Sequence, residues 1–182
     1  MIPDKTLYKA FLEGDISAFE ELVIRYRYNL VYFILQFLKD YHSSEDIAQE
    51  VFAYIYLHPD KYSSEYEFKT YLFMLGKRRA IDYIRKLNRT KVTSIEDLQL
   101  EDVRTLEEII YSNEDSIALK KAVKELKPEY RKVVVLQYLN GFSLAEIAGV
   151  MDKSVGSVKV ISHRAKLKLK EILEKGGWSY EI

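Results

Sequence analysis

Three groups of residues in this sequence have the types and spacing to do chemistry. The first is acidic. Glu45, Asp46, Gln49 and Glu50 follow Ser43 and Ser44 and make up the polar face of a helix. Carboxylates so spaced could hold a divalent ion, as in a nuclease, but no Lys or His base stands beside them. On this stretch alone the plainer reading is the solvated face of a well-capped core helix. The second group is basic: Lys77, Arg78, Arg79, Arg85, Lys86 and Arg89 are opposed by Asp82 alone, with Tyr71, Phe73 and Tyr83 interleaved. Such a surface suits phosphate neutralisation and stacking on unpaired bases; a solvated basic face is the plainer reading. The third group follows a turn at Asp152-Lys153-Ser154. Small residues Ser154, Gly156 and Ser157 lead into Lys159, His163, Arg164, Lys166 and Lys170. There the backbone could approach DNA and the cations could reach phosphates or guanine edges.

The composition sets bounds on the elements that must carry these groups. Among 182 residues there are only 7 Gly and 3 Pro, and 31% are charged, which predicts an all-α protein. There is no Cys, so disulfides and Cys-based zinc sites are excluded. His58 has no second ligand at metal-binding spacing. No apolar run reaches the roughly 20 residues of a membrane span, and none follows Met1 as a signal peptide would, so a cytoplasmic protein is expected. Charge is neutral overall but unevenly spread. Residues 1–89 carry 13 basic and 13 acidic side chains, 90–116 carry 2 and 8, and 117–182 carry 13 and 7. The basic C-terminal part favours polyanions.

Apolar periodicity places the helices. Gly14-Asp15 ends a short helix and caps a long one whose stripe is Ile16, Phe19, Val23, Tyr26, Leu30, Phe33 and Phe37. Lys39 to His42 is read as a connection. The next helix opens at Ser43 or Ser44, with Asp46 completing a capping box, and buries Ile47, Ala48, Val51 and Ile55. Leu57 to Glu65, with Pro59, is a loop. A third long helix over 66–89 buries Phe68, Leu72, Leu75, Ala80, Ile84 and Leu87, and Gly76 could admit a neighbouring helix closely. Residues 90–116 read as an acidic linker with one short helical piece near 106–111. Four helices follow at about 114–126, 128–139, 143–150 and 154–174. Pro128 sits at a helix start, Asn140-Gly141 at a stop, and Ser143 with Glu146 in a capping box. A short capped helix, a tight turn and a longer basic helix make a helix-turn-helix. The expected architecture is two small helical domains joined by the acidic linker, the second a four-helix domain with that motif.

Several strings then align with one family. Ser44-Glu45-Asp46-Ile47-Ala48-Gln49-Glu50-Val51-Phe52, Phe68-Lys69-Thr70-Tyr71-Leu72, Ala80-Ile81-Asp82-Tyr83-Ile84-Arg85, Leu126-Lys127-Pro128-Glu129-Tyr130-Arg131, Gly141-Phe142-Ser143-Leu144-Ala145-Glu146-Ile147-Ala148, Val155-Gly156-Ser157-Val158-Lys159 and His163-Arg164-Ala165 occur in order. From about Leu12 to Leu173 the chain resembles a bacterial RNA polymerase sigma factor of the extracytoplasmic-function (ECF) group.

The resemblance implies roles. Residues 1–89 would be region 2, binding the beta-prime clamp of RNA polymerase core through Asp46, Gln49 and Glu50. That domain would hold the melted minus-ten strand with Tyr62, Tyr66, Lys77, Arg78, Arg79, Arg85 and Arg89. Residues 90–116 would thread as an acidic linker into the positively lined channel near the active site of the polymerase core, whose beta subunit is a further implied partner. Residues 117–175 would be region 4, reading the minus-thirty-five element of promoter DNA with Ser157, Lys159, Val160, His163, Arg164 and Lys166. Residues 176–182 would be a tail. No catalytic residue, metal or cofactor is implied; an anti-sigma factor is implied as a partner. Tyr71 stands where the family usually has Trp, Arg78 where Asn is common, and Ser157 where Thr is usual. The competing reading from the residues is a stand-alone helix-turn-helix regulator, which leaves the acidic face and the linker unexplained.

Overall fold

The computed structural model describes residues 1–63, 65–90 and 114–176. The chain divides into two compact units, Met1–Val103 and Arg104–Ile182. Most of the expected acidic linker, its short helical piece and the tail from 177 onward lie outside the described residues. All regular elements described are helical.

The first unit contains α1 (Asp4–Leu12), α2 (Ile16–Leu38), α3 (Tyr41–Leu57), a 3₁₀ turn (Pro59–Lys61) and α4 (Phe68–Thr90). Asp15 caps α2, its carboxylate accepting from the amides of Ser17 and Ala18. α2 ends with Lys39 in the left-handed region (φ 58°). Asp40 alone then separates that residue from α3, and so short a connection makes α2 and α3 neighbours. α2 packs on α1, α3 and α4. That central position buries the whole run Leu30–Leu35 rather than one stripe. The sequence-based stripe is corrected at its start, because Ile16 is 53% exposed while Ala18 and Leu22 face inward.

The start of α3 also differs from expectation. The cap is Asp40, whose carboxylate accepts from the Ser43 amide at 2.7 Å. Ser44 is fully buried and its hydroxyl donates back to the Asp40 carbonyl at 2.5 Å. The hydroxyl of Ser43 lies 2.9 Å from that of Tyr83 on α4. Both serines therefore sit inside the helix and serve its packing, while Asp40 takes the capping role a turn earlier.

α4 begins at Phe68, two residues later than predicted. Phe68, Leu72, Phe73 and Ala80 are buried, as is the hydroxyl-bearing Thr70. Phe73, expected among the aromatics of the basic face, is instead 0% exposed, and its ring packs 5.3 Å from that of Phe33 on α2. Leu75, Ile84 and Leu87, expected in the core, are only partly buried.

The second unit contains α5 (Glu114–Glu125), α6 (Pro128–Val134), α7 (Leu144–Met151) and α8 (Val155–Lys175). Pro128 occupies the first turn of α6, where its missing amide is not needed. The expected single helix to Leu139 changes character at Val135, where one wide π turn runs to Leu139. The Asn140 side chain and backbone amides both donate to the Val135 carbonyl, at 2.9 and 3.2 Å. Gly141 then takes φ 62°, and the Phe142 amide reaches back to the Leu136 carbonyl at 3.1 Å. Ser143 and Glu146 form the predicted reciprocal capping box of α7. Asp152 (φ 53°) closes α7, and Ser154 caps α8 by accepting from the Ser157 amide at 3.1 Å. The core joins Val123, Leu126, Val134 and Ala165, with Tyr130, Leu169 and Ile172 against it. Full burial of a Val or Leu side chain here contributes about 1.5–3 kcal/mol.

Candidate functional site

α3 presents its polar side as the spacing requires. Asp46, Gln49 and Glu50 are exposed, while Ile47, Ala48, Val51 and Ile55 on the other side are buried. Glu45 is partly buried and bonded to Arg27 of α2 at 2.6 Å. That hydrogen bond holds the Arg27 guanidinium above its ordinary range. A groove of about 270 Å³ runs beside this pair, lined by Val23, Arg27, Val31, Glu45, Ala48, Gln49 and Phe52. Gln49 thus edges both the acidic face and an apolar cleft. Among the described residues no group of three or more His, Asp or Glu is placed to hold a metal ion.

On α4, Arg78, Arg79, Arg85, Lys86 and Arg89 are exposed and Lys77 is partly buried. Arg79 lies over the ring of Tyr54, 5.3 Å from its centroid, which ties the basic helix to α3. Arg85 pairs with Asp82 at 3.3 Å, both exposed, a contact of little energetic weight. The interleaved aromatics have separate positions. Tyr83 meets Ser43, and Tyr71 packs 5.2 Å from Tyr62.

The two tyrosines of the α3–α4 connection differ. Tyr66 is exposed (40%). Tyr62 is partly buried among Tyr8, Phe68 and Tyr71, and its hydroxyl donates to the Tyr66 carbonyl at 2.8 Å. Burial raises the phenol pKa of both Tyr62 and Tyr71. Sequence reasoning missed Tyr8, Tyr54 and Asp40 as residues that shape these surfaces. Their partners lie on other helices, so no local spacing marks them.

In the second unit, α8 buries Val158, Ile161, Ala165 and Leu173. Ser157, Lys159, Val160, His163, Arg164 and Lys166 all lie exposed on its other sides. Gly156 has open space where a Cβ would stand, so no internal packing demands its small size. Ser162 donates to Gln137 at 2.6 Å, fastening α8 to the π turn. Lys153 in the turn pairs with Glu129 of α6 at 2.8 Å.

Comparison with known proteins gives these surfaces a family. The model of Sigma-70 region 2 matches residues 22–90, and that of Sigma-70, region 4, matches residues 116–169. The chain is 30% identical over 179 residues to the ECF RNA polymerase sigma factor SigW of Bacillus subtilis, covering 93% of this chain and 96% of SigW. The chain belongs to the ECF sigma factors.

This sigma factor is also 27% identical over 177 residues to the ECF RNA polymerase sigma-E factor of Escherichia coli K12, covering 91% of each. Its fold resembles the sigma factor RpoE solved with the anti-sigma factor NepR from Bartonella quintana. That match has TM-score 0.67 and 21% identity, over 87% of this chain and 98% of that one. CnrH, solved with the cytosolic domain of CnrY, matches with TM-score 0.66 and 23% identity, over 94% and 97%. As an alternative sigma factor the protein directs RNA polymerase in transcription initiation. The first match begins at residue 22, so α1 stands outside it. Among the described residues no helix is long and apolar enough to cross a membrane.

Proposed function

We propose that this sigma factor divides promoter recognition between its two units. The first docks on the beta-prime clamp of the polymerase core through Asp46, Gln49 and Glu50. It holds the minus-ten element as single strand against Tyr62 and Tyr66 of the α3–α4 connection and the cations Lys77, Arg78, Arg79, Arg85 and Arg89. The second unit sets α8 into the major groove of the minus-thirty-five element. There Lys159, Val160, His163 and Arg164 face base edges, with Ser157 and Lys166 beside them on the same contact surface. The segment between the units threads into the core channel near the polymerase active site. An anti-sigma factor covers these surfaces when the protein is held inactive; the solved complexes of RpoE with NepR and of CnrH with CnrY support that partner class.

One observation carries the reading. A capped turn delivers α8 with its apolar stripe inward and its cations exposed, directly behind an amino end kept narrow by Gly156 and Ser157. Transcription from a genomic promoter library by core polymerase with and without this protein tests it, paired with gel shifts. Promoter-specific binding should need core. Tight sequence-specific binding by the protein alone would instead identify a stand-alone helix-turn-helix regulator.

A further inference from the structure

α1 contributes one residue that touches the α3–α4 connection at its start, at Tyr62 and where α4 begins. Tyr8 is only 3% exposed. Its hydroxyl donates to the Pro59 carbonyl at 2.8 Å, at the start of the connection. Its ring meets Tyr62 edge-on at 4.7 Å in the middle, and Phe68 at 5.3 Å where α4 begins. Tyr62 passes the constraint on through its bond to the Tyr66 carbonyl.

α1 is itself pinned to α2. Arg25 bonds Asp4 at 2.6 Å, the Ile2 carbonyl at 2.9 Å and Glu21 at 3.1 Å. The Tyr26 hydroxyl also donates to Asp4. The Arg25–Asp4 pair is largely shielded from water, so loss of either partner would leave the other charge poorly solvated. The ring of Phe11 packs against Phe19 and Tyr56, fixing the other end of the helix.

We propose that Tyr8 is a positioning residue for minus-ten recognition: α1 holds the α3–α4 connection in the shape that receives the single strand. The proposal rests on the reading of that connection given above. Its physical basis is preorganisation. Apart from one short 3₁₀ turn the described connection has no regular backbone pairing, and ordering free residues on binding costs conformational entropy. A connection that is only partly in its binding shape lowers apparent affinity by that fraction. Tyr8 removes that loss while leaving the exposed Tyr66 available to the strand.

The test compares wild type with Tyr8→Phe and Tyr8→Leu, each assembled with core polymerase. The probe is a forked promoter fragment whose non-template minus-ten strand is single, taken from a promoter the wild type transcribes. Tyr8→Phe keeps the ring contacts and loses the bond to Pro59. Its affinity for the forked probe should fall roughly two- to tenfold, the worth of one hydrogen bond, and Tyr8→Leu should fall further. Affinity for core and for duplex minus-thirty-five DNA should not change. Amide exchange at Lys61, whose N–H bonds the His58 carbonyl at 3.1 Å, should quicken in Tyr8→Phe while amides in the middle of α2 stay protected.

Wild-type affinity for the fork in both variants, or unchanged exchange at Lys61, overturns the positioning role alone. A parallel fall in core binding and fork binding also overturns it, because the residue would then act only on stability. If the wild-type holoenzyme does not prefer the fork to a scrambled one, the reading of the connection as a minus-ten site fails, and the proposal with it.

Discussion

A Cβ added to Gly76 would lie 2.8 Å from Cδ1 of Leu30. Leu30 is fully buried, so α4 crosses α2 with its backbone set directly against an enclosed side chain that must shift to admit a methyl group. Gly76→Ala should therefore destabilise the first unit by about 1 kcal/mol net, an overpacking cost of about 1–3 reduced by the helix preference of Ala over Gly, about 1. Leu30→Ala alone should cost about 2–5 kcal/mol. The double variant should be less destabilised than the two effects added, since one substitution fills what the other empties. Denaturant unfolding of the four proteins measures the coupling, and strict additivity would contradict the contact.

The capping role at α3 belongs to Asp40. Asp40→Ala should cost about 1 kcal/mol, whereas Asp46→Ala, on the exposed face, should stay within about 0.5 kcal/mol. Thermal melts of the two variants separate these outcomes; equal losses would restore the capping box first expected at Ser43.

The proposed core docking falls on the exposed face of α3. Asp46→Ala combined with Gln49→Ala should weaken core affinity on the order of tenfold, or about 1.4 kcal/mol, with helical circular dichroism unchanged. Titration of labelled protein with core polymerase measures it. Unaltered affinity would move the docking surface elsewhere.

Arg164 is exposed on α8, one helical step from the buried Ala165. Arg164→Ala should lower holoenzyme affinity for duplex minus-thirty-five DNA. If Arg164 contacts phosphate, the slope of log affinity against log salt should fall by about 1; if it reads a base, the loss should fall mainly on one sequence position. No change in either quantity would remove it from the interface.

Alkaline pH should test the Tyr8 environment independently. Burial pushes the Tyr8 phenol well above its usual range, with Tyr71 and Tyr62 adding to the effect. A raised folded-state pKa means that the native unit keeps the proton longer than the unfolded chain. Its stabilising contribution is complete below about pH 10, where unfolded Tyr begins to titrate, and is lost as pH rises toward the folded value. Tyr8→Phe removes that phenol, so its stability should fall less steeply above about pH 10 than that of wild type. Urea midpoints measured across that range give the comparison.

The helices and their polar faces were legible because they depend on neighbours three and four residues apart. Ile47, Ala48, Val51 and Ile55 point inward and Asp46, Gln49 and Glu50 outward by spacing alone. The capping box of Ser143 with Glu146 and the cap at Ser154 are equally local, and so the helix-turn-helix is written in adjacent residues. Periodicity could not choose between Asp40 and Ser43 as the cap of α3. Ser44 is fully enclosed and Ser43 meets Tyr83, forty positions away, and only packing decides that.

The order and amphipathic pattern of the helices, the turn into α8, and the polar side of α3 were determined by the sequence itself. Each follows from backbone geometry over one or two turns. The tertiary structure decided which aromatic side chains remain accessible. Phe73 goes into the core beside Phe33, Tyr62 is held by Tyr8 and Phe68, and Tyr66 stays exposed. Those outcomes depend on where α1 and α2 cross the other helices, and a helix crossing brings together residues whose distance along the chain carries no periodic signal.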